Sequence, residues 1–230
     1  MTQYGKVDAS AGQGAIRRFI RHEPDGSVSR LRVVPARTCH LREVIARLRP
    51  RDGVELAAAS GRTAPGAASR TFALSPLRWA AMRGEQCVAL FGAMPDAHHA
   101  GVAVVWLFGT PDMERERRAL VALGPLFVAR MAKVWPVLVN MTLRDDGAVP
   151  MQGGCGGGVG AQRDAVACTA EMSQHGGGDS RGRSVASVSD STTLRWLARC
   201  GFAVGEALPL GAQGQWFYPF CKGGVPCAAE

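Results

Sequence analysis

The sequence has 230 residues and is 47% hydrophobic, so it can bury the core of one domain. No apolar run reaches about 18 residues, and residues 1–14 lack the apolar segment of a secretory signal peptide, so we expect neither a membrane partner nor export. The formal net charge is +8, and residues 1–51 hold eleven basic residues against four acidic ones. This region favours a polyanion or an acidic protein surface as partner, although solvated charges that aid solubility would give the same pattern.

The cysteines and histidines predict neither a disulfide framework nor a metal centre. The seven cysteines are irregularly spaced and form no Cys-x-x-Cys pair, which favours free thiols. His98 and His99 are adjacent in a segment predicted to be a turn, where neighbouring side chains diverge, and no cluster of zinc ligands accompanies them.

The first third of the sequence predicts a strand, a bent helix and a loop. Residues 29–36 alternate polar and apolar side chains, as a half-buried strand does. Residues 36–60 carry apolar side chains at helical spacing, and Pro50 should end or bend this helix. Residues 61–71, "GRTAPGAASRT", are rich in the residues of loops.

The rest of the chain predicts alternating helices and strands. Ser75 followed by proline indicates the start of a short helix over residues 75–84. A long helix over residues 111–135 should be kinked at Gly124–Pro125, and a further helix covers residues 191–200. The predicted strands are the β-branched and apolar runs 85–94, 102–110, 136–143, 202–207 and 215–220.

This order of elements resembles the GNAT acyltransferase fold, in which a splayed sheet holds acetyl-CoA between the fourth and fifth strands. The segments "VVWLFGTPDMERERR" and "STTLRWLARCGFAVGEA" resemble, more narrowly, the GNAT-like family of short-tailed (podovirus) phages, whose prototype is described as an internal virion protein. The resemblance covers residues 30–145 and 190–221. It implies an α/β fold with a mixed, largely antiparallel, splayed sheet flanked by helices.

The resemblance also divides the chain. It implies a basic N-terminal arm at residues 1–29, a GNAT-like domain at 30–221 and a tail at 222–230. A glycine-rich insertion at 145–190 expands a loop that in the family joins strand and helix directly. The cost of closing a surface loop grows only logarithmically with its length, so the fold can accept this insertion.

The turn after the strand 102–110 departs from the pattern of GNAT enzymes. Their pyrophosphate-binding turn, Q/R-x-x-G-x-G/A, offers backbone N–H groups and the N-terminus of a helix to the phosphates. Here only Gly109 is present, and Pro111 lacks an N–H. Three carboxylates stand where phosphates would bind and should repel them: Asp112, Glu114 and Glu116. This departure implies that acetyl-CoA binding is lost, so we expect no cofactor.

Catalytic residues are equally hard to assign. GNAT enzymes often use a glutamate base on the fourth or fifth strand and a tyrosine acid after the fifth. The corresponding strands 102–110 and 136–143 contain no carboxylate, and Tyr218 is expected to be a core or edge aromatic. Asn140 is interpreted as a satisfied amide rather than a ligand group. We therefore predict no catalytic, cofactor-binding or metal-binding residue and no enzyme activity.

The leading hypothesis is a non-catalytic phage structural or assembly protein. Its location would be the virion, and the host cytoplasm during assembly. Its partners would be other phage structural proteins of the tail, portal or adaptor region, in a symmetric oligomer. The arm and the insertion would contact these neighbours, because such segments commonly become ordered on binding.

Two alternatives remain open at the level of sequence. The first is an N-acyltransferase that uses acetyl-CoA through an unusual turn. The second is a DNA-binding virion protein that uses residues 1–51 and whose affinity falls steeply with salt. Its first candidate partner-binding residues are Arg17, Arg18 and Arg21, of which Arg17 and Arg21 would share a face if the arm were helical.

Overall fold

The computed structural model describes residues 17–22, 28–144 and 192–224, which form an open sheet with helices on both faces. The strands of this part of the chain are β1 (Arg17–His22), β2 (Val28–Pro35), β3 (Leu77–Arg83), β4 (Gln86–Pro95), β5 (Val102–Gly109), β6 (Val137–Leu143), β7 (Ala203–Val204), β8 (Leu208–Pro209) and β9 (Trp216–Lys222). Its helices are α1 (Thr38–Ala46), α2 (Pro50–Ser60), α3 (Ala64–Leu74), α4 (Arg117–Ala132) and α5 (Thr192–Arg199), and a 3₁₀ turn covers Pro111–Glu114. Among the helices so described, none is long and apolar enough to cross a membrane.

The sheet is mixed and largely antiparallel. Its strand order is β1-β2-β3-β4-β5-β6-β9-β7, with β8 paired to β9. Only β5 and β6 run parallel among the strands described. Parallel neighbours need a crossover connection, and α4 provides it here. The predicted fold class, a GNAT-like α/β fold with a largely antiparallel sheet flanked by helices, is confirmed.

Strands β5 and β6 separate soon after they meet. Residues Val102–Val104 pair with Val137–Val139, and the pairing then stops. Strand β5 continues to Gly109 against β4, and β6 continues to Leu143 against β9. The second halves of the two strands therefore leave a gap in the sheet, which is the splayed arrangement that the resemblance implies.

Side chains alternate between two core layers, one on each face of the sheet. Leu90 packs with Phe72 and Phe108 in the layer that α1 and α3 cover. Its neighbour Phe91 packs with Phe127 in the layer that α4 and α5 cover, with the two ring centroids 4.9 Å apart. Each such burial contributes about 1.5–3 kcal/mol, so helices are fixed on both faces beside the gap.

The segment 36–60, predicted to be one helix ended or bent at Pro50, forms two helices separated by residues 47–49. The first, α1, buries Leu41 and Val44. The second, α2, begins at Pro50 because a missing N–H costs nothing in the first turn of a helix. The break directs α2 towards the end of β5, where the Arg49 backbone N–H donates to the Gly109 carbonyl at 2.8 Å.

The prediction of a loop at residues 61–71 is wrong, because helix α3 begins within this segment, at Ala64. Thr63 is the N-cap, and its hydroxyl accepts a hydrogen bond from the Gly66 backbone N–H at 3.4 Å. Pro65 lies in the first turn, where proline is favoured rather than disruptive. The proline and the glycine therefore begin a helix here instead of preventing one.

The helix predicted at residues 75–84 is also wrong, because the segment forms β3 between β2 and β4. Ser75 ends α3 instead of beginning a helix. Its hydroxyl donates to the Thr71 carbonyl at 2.6 Å and accepts the indole N–H of Trp106 at 2.8 Å. Pairing on both sides of β3 outweighs the helix preference of its alanines and methionine.

Strand β1 lies inside the predicted arm 1–29. It pairs antiparallel with β2, with Arg17 opposite Val33 and Arg18 opposite Arg32. The helical arrangement considered for these arginines is therefore wrong, and this part of the arm extends the sheet. The rest of the arm apart from residues 28–29, the insertion 145–190 and residues 225–230 of the tail fall outside the described residues.

Candidate functional site

A cavity of about 510 Å³ lies beside the gap between β5 and β6. Its walls are formed by these two strands, by α4 and α5, and by the first half of α2. Most of its lining is apolar, as at Phe127 and Met131, and a few polar side chains reach it, among them Glu55 and Thr142. A volume of about 300–1,000 Å³ with few polar groups is typical of small-molecule sites.

Asn140 bridges the two strands at the point where they separate. Its side-chain amide donates a hydrogen bond to the Val105 carbonyl of β5. Its side-chain oxygen accepts one from the Met141 backbone N–H at 2.7 Å. The amide thus satisfies backbone groups that have no strand partner at the gap, and the interpretation of Asn140 as a satisfied amide is confirmed.

Glu55 places a carboxyl group on the wall of the cavity. Helix α2 carries it to the end of β6, where the Thr142 hydroxyl donates to it at 3.5 Å. Burial raises the pKa of Glu55 to about 7. The effect of burial is larger than the lowering of this pKa by the charge of Arg51 and by hydrogen bonds from the Leu143 backbone and Thr142. A carboxyl group with such a pKa can hold or release a proton near neutral pH.

This carboxyl group was missed from the sequence because the search for a base was limited to the strands. The available signal lay on α2, where Asp52 and Glu55 are three residues apart and so share one face of the helix. Asp52 is buried and Glu55 partly buried, so acids occupy a face on which apolar side chains are expected.

Two backbone N–H groups at the end of β5 are engaged within the protein. The Gly109 N–H donates to the Asp52 carboxylate at 2.8 Å, and the Thr110 N–H donates to the Val88 carbonyl at 2.9 Å. Pro111 has no N–H to offer. At Gly109 the Asp52 carboxylate accepts the N–H that would otherwise be open to an external acceptor.

The acids of the turn are paired with arginines. Arg49 contacts Glu114 at 2.5 Å, and Asp112 is bound by Arg47 and by Arg83, the latter at 3.2 Å. Although burial raises the pKa of Asp112, its bonds with Arg47 and Arg83 lower that pKa further, to below its usual value. The negative charge that these carboxylates were predicted to present to a phosphate is therefore largely compensated by arginines.

The candidate partner-binding residues Arg17, Arg18 and Arg21 lie in β1, at the edge of the described sheet and on the opposite side of it from β9. Strand β1 is separated from β5 in the sheet by β2, β3 and β4. Their role in partner binding stays a prediction.

The described cysteines are unpaired with one another, and the two adjacent histidines lie in a turn. Cys39, Cys87, Cys200 and Cys221 are free thiols. Asp96 accepts hydrogen bonds from the backbone N–H groups of His98 and His99, each at 2.9 Å, as expected of a polar turn. No group of three His, Cys, Asp or Glu side chains that could hold a metal ion is found in the part of the chain that the structure describes.

No family model and no curated protein matches the chain. Solved structures similar to it include Ard1 from Thermoplasma volcanium, at 11% identity and a TM-score of 0.47 over 84% of this chain and 96% of that one. The GNAT domain of S. lividans PAT has 11% identity and a TM-score of 0.47 over 89% and 97% of the two chains. A ribosomal-protein-alanine N-acetyltransferase from Brucella melitensis has 15% identity and a TM-score of 0.43 over 83% and 98%. At such identities the similarity concerns the fold alone, which the strand order and register define.

Proposed function

We propose that this protein acts by binding rather than by CoA-dependent acyl transfer, on a GNAT-like scaffold that no longer holds a pyrophosphate. The observation that supports this proposal is the hydrogen bond from the Gly109 N–H to the buried Asp52 carboxylate. A buried hydrogen bond to a charged acceptor contributes about 1.5–3 kcal/mol, so an incoming phosphate would have to displace a bound carboxylate. Pro111 removes a further donor from the same turn.

Titration calorimetry with acetyl-CoA tests this proposal. The natural chain should bind acetyl-CoA with a Kd weaker than about 1 mM, which corresponds to about −4 kcal/mol. A variant that combines Asp52→Ala with Pro111→Gly frees the Gly109 N–H and adds an N–H at residue 111, so it should bind acetyl-CoA more tightly. The exposed Glu85→Gln variant is the control. Micromolar binding of acetyl-CoA by the natural chain, competed by ADP, would contradict the proposal.

The role in phage assembly is the narrower form of this proposal, and the sequence resemblance supports it. A structural protein needs surfaces for its neighbours, and the arm and the insertion would supply them. Chemical cross-linking followed by mass spectrometry of assembled particles tests this role. Cross-links from residues 1–29 or 145–190 to tail, portal or adaptor proteins are expected, and the absence of the protein from purified particles and assembly intermediates would contradict it.

N-acyl transfer is the second candidate, and the carboxyl group of Glu55 in the cavity favours it. An amine nitrogen would attack the thioester carbonyl, a C–N bond would form and the C–S bond would break. Glu55 would take the proton that the nitrogen loses, and the thiolate would leave and be protonated by water. Thiol release from acetyl-CoA with a panel of amines, abolished in Glu55→Gln, would establish this activity over the binding role.

DNA binding through residues 1–51 is supported by their excess of basic residues. Fluorescence anisotropy with a labelled duplex should give an affinity that falls steeply with salt. Reversal of Arg17, Arg18 and Arg21 to glutamate should weaken binding, whereas reversal of the exposed Arg62, outside this region, should not. Unchanged affinity in the triple variant would remove this candidate.

A further inference from the structure

Strand β1 forms one end of the described sheet, and it is a regular edge. Its six residues pair with β2 without a shift of register, and no second strand pairs with it among the residues that the structure describes. Its sequence, RRFIRH, contains neither proline nor glycine. Alternate residues of an edge strand direct their backbone N–H and C=O groups away from the sheet, so β1 offers a row of donors and acceptors to a further strand.

The other end of the described sheet is protected against such pairing. There β9 is covered by β7 and β8, which have two residues each. Pro209 in β8 lacks the N–H that a ladder of hydrogen bonds needs. Short strands and prolines are devices by which proteins keep sheet edges from pairing with other chains. Of the two ends, β1 is therefore the one that can accept a strand of ordinary length.

The charge of β1 determines which kind of strand it can accept. Arg17, Arg18 and Arg21 lie in β1, and neither β1 nor its neighbour β2 contains an acid. Arg18 stands opposite Arg32 of β2, and like charges opposite one another on neighbouring strands are destabilising. Glu85 contacts Arg32 at 2.8 Å, which compensates one of the five arginines of the two strands. A strand that carries carboxylates would compensate more of this positive charge.

A second copy of this chain and DNA both fit β1 less well than an acidic peptide does. Full antiparallel overlap of two β1 strands would bring Arg18 and Arg21 opposite one another at two places, with no acid to offset them. DNA would supply negative charge through its phosphates, but it has no row of peptide groups that could complete a ladder. An extended acidic peptide supplies both, and addition of a strand to a sheet edge is a general mode of peptide recognition.

We infer that β1 binds an extended acidic segment of a partner protein, which joins the sheet as a further strand. Backbone hydrogen bonds to β1 fix the position of this segment, and its carboxylates compensate the charge of Arg17, Arg18 and Arg21. The inference rests on that part of the proposed function which gives the arm a partner, and not on the loss of acetyl-CoA binding.

Fluorescence anisotropy with a labelled octapeptide of alternating glutamate and threonine tests the inference. The variant that combines Arg17→Gln, Arg18→Gln and Arg21→Gln should lose about tenfold in affinity, as expected for the loss of three exposed charge pairs. A matched control replaces by glutamine three exposed arginines that lie outside β1: Arg62, Arg70 and Arg118. It removes the same formal charge and should lose less than about twofold, because distant surface charges are screened by salt.

Two further measurements separate strand addition from attraction between charges alone. The same peptide methylated at every backbone nitrogen keeps its carboxylates but has no N–H to donate, so it should bind at least about tenfold more weakly. Hydrogen exchange in the natural chain should slow at residues 17–22 when the unmethylated peptide is bound, because outward N–H groups of β1 become hydrogen-bonded. This measurement needs no variant, so it decides the question even if the triple variant fails to fold.

Equal binding of the methylated peptide, or unchanged exchange at residues 17–22, would overturn the inference. No binding of the unmethylated peptide up to about 1 mM would overturn it too, and would leave the arginines as a device that keeps the edge from pairing. A short DNA duplex that binds more tightly than the peptide and displaces it would assign the arginines to nucleic acid instead. Micromolar binding of acetyl-CoA would contradict the proposed function and leave the peptide result standing, so the two failures are distinguishable.

Discussion

The carboxylate of Asp52 accepts a hydrogen bond at 2.8 Å from the backbone N–H of Gly109, fifty-seven residues further along the chain. The same two segments are joined in the opposite sense by the Arg49 N–H and the Gly109 carbonyl. The start of α2 and the end of β5 are therefore held together by hydrogen bonds to both the backbone N–H and the carbonyl group of Gly109. Breaking this contact should therefore destabilise the fold, whatever its effect on ligand binding.

Substitution of Asp52 by alanine should destabilise the protein by about 2–4 kcal/mol, because the Gly109 N–H is left buried without an acceptor and Arg49 loses a partner. Asp52→Asn keeps an acceptor for the N–H and loses only the charge, so about 1–2 kcal/mol is expected. Urea unfolding of both variants measures the difference. If Asp52→Ala unfolds within about 0.5 kcal/mol of the natural chain, the typical effect of a surface substitution, this contact is absent in solution.

Gly109 and Gly53 form a matched pair of glycine positions with opposite expectations. A Cβ atom at Gly109 would lie 2.5 Å from the Val88 carbonyl oxygen, so Gly109→Ala should cost about 1–3 kcal/mol or more. At Gly53, inside α2, the nearest atoms would be 3.8 Å away, and Gly53→Ala should stabilise the helix by about 0.5–1 kcal/mol. The midpoint of thermal unfolding, relative to that of the natural chain, should fall in Gly109→Ala and rise in Gly53→Ala. Shifts of the same sign would contradict the packing at Gly109.

The strands that surround the cavity could be predicted from the sequence because each is a continuous apolar run. Strands β4, β5 and β6 are buried on both faces, so their side chains alone mark them. The errors at residues 61–84 have a different origin. Local signals of loop and helix were present there, and the pairing of β3 with β2 and β4, which the sequence does not display, decided the outcome.

The candidate site was predicted only in part for a similar reason. The loss of donors at Pro111 is a property of one residue and can be seen in the sequence. The contact between Asp52 and Gly109 and the contact between Glu55 and Thr142 join residues that are more than fifty positions apart. Both depend on where the break at Pro50 directs α2, and no local pattern encodes that direction.

The described cysteines should differ widely in reactivity. Burial, with a smaller contribution from Glu43, raises the pKa of the Cys87 thiol to about 12, and burial raises that of Cys200 to about 11. The thiolate is the reactive form, so both should resist alkylation at pH 8, whereas the exposed Cys39 should react. Iodoacetamide labelling with peptide mapping measures the extent of alkylation at each cysteine, and labelling of the protein unfolded in urea provides the fully reactive reference. Equal modification of Cys87 and Cys39 in the folded protein would show that β4 is not buried as described.

The pKa of Glu55 should make the stability of the protein depend on pH. Its folded value of about 7 lies above the ordinary 4.5, so the folded state binds the proton more tightly than the unfolded state does. The stabilisation from this proton is present below pH 4.5 and is lost as pH rises through 7. The loss is at most about 3 kcal/mol, at about 1.4 kcal/mol per pKa unit, and is reduced because water reaches the cavity side of the group.

Glu55→Gln has no proton to lose, so its free energy of unfolding relative to the natural chain should increase between pH 5 and pH 8 by about 1–3 kcal/mol. Burial lowers the pKa of His40, but His40 is present in both proteins and its contribution cancels in the difference. Urea unfolding at a series of pH values measures this difference, with Glu85→Gln as the control that should show none. A difference that stays constant with pH would mean that Glu55 is ionised throughout this range and that burial does not raise its pKa.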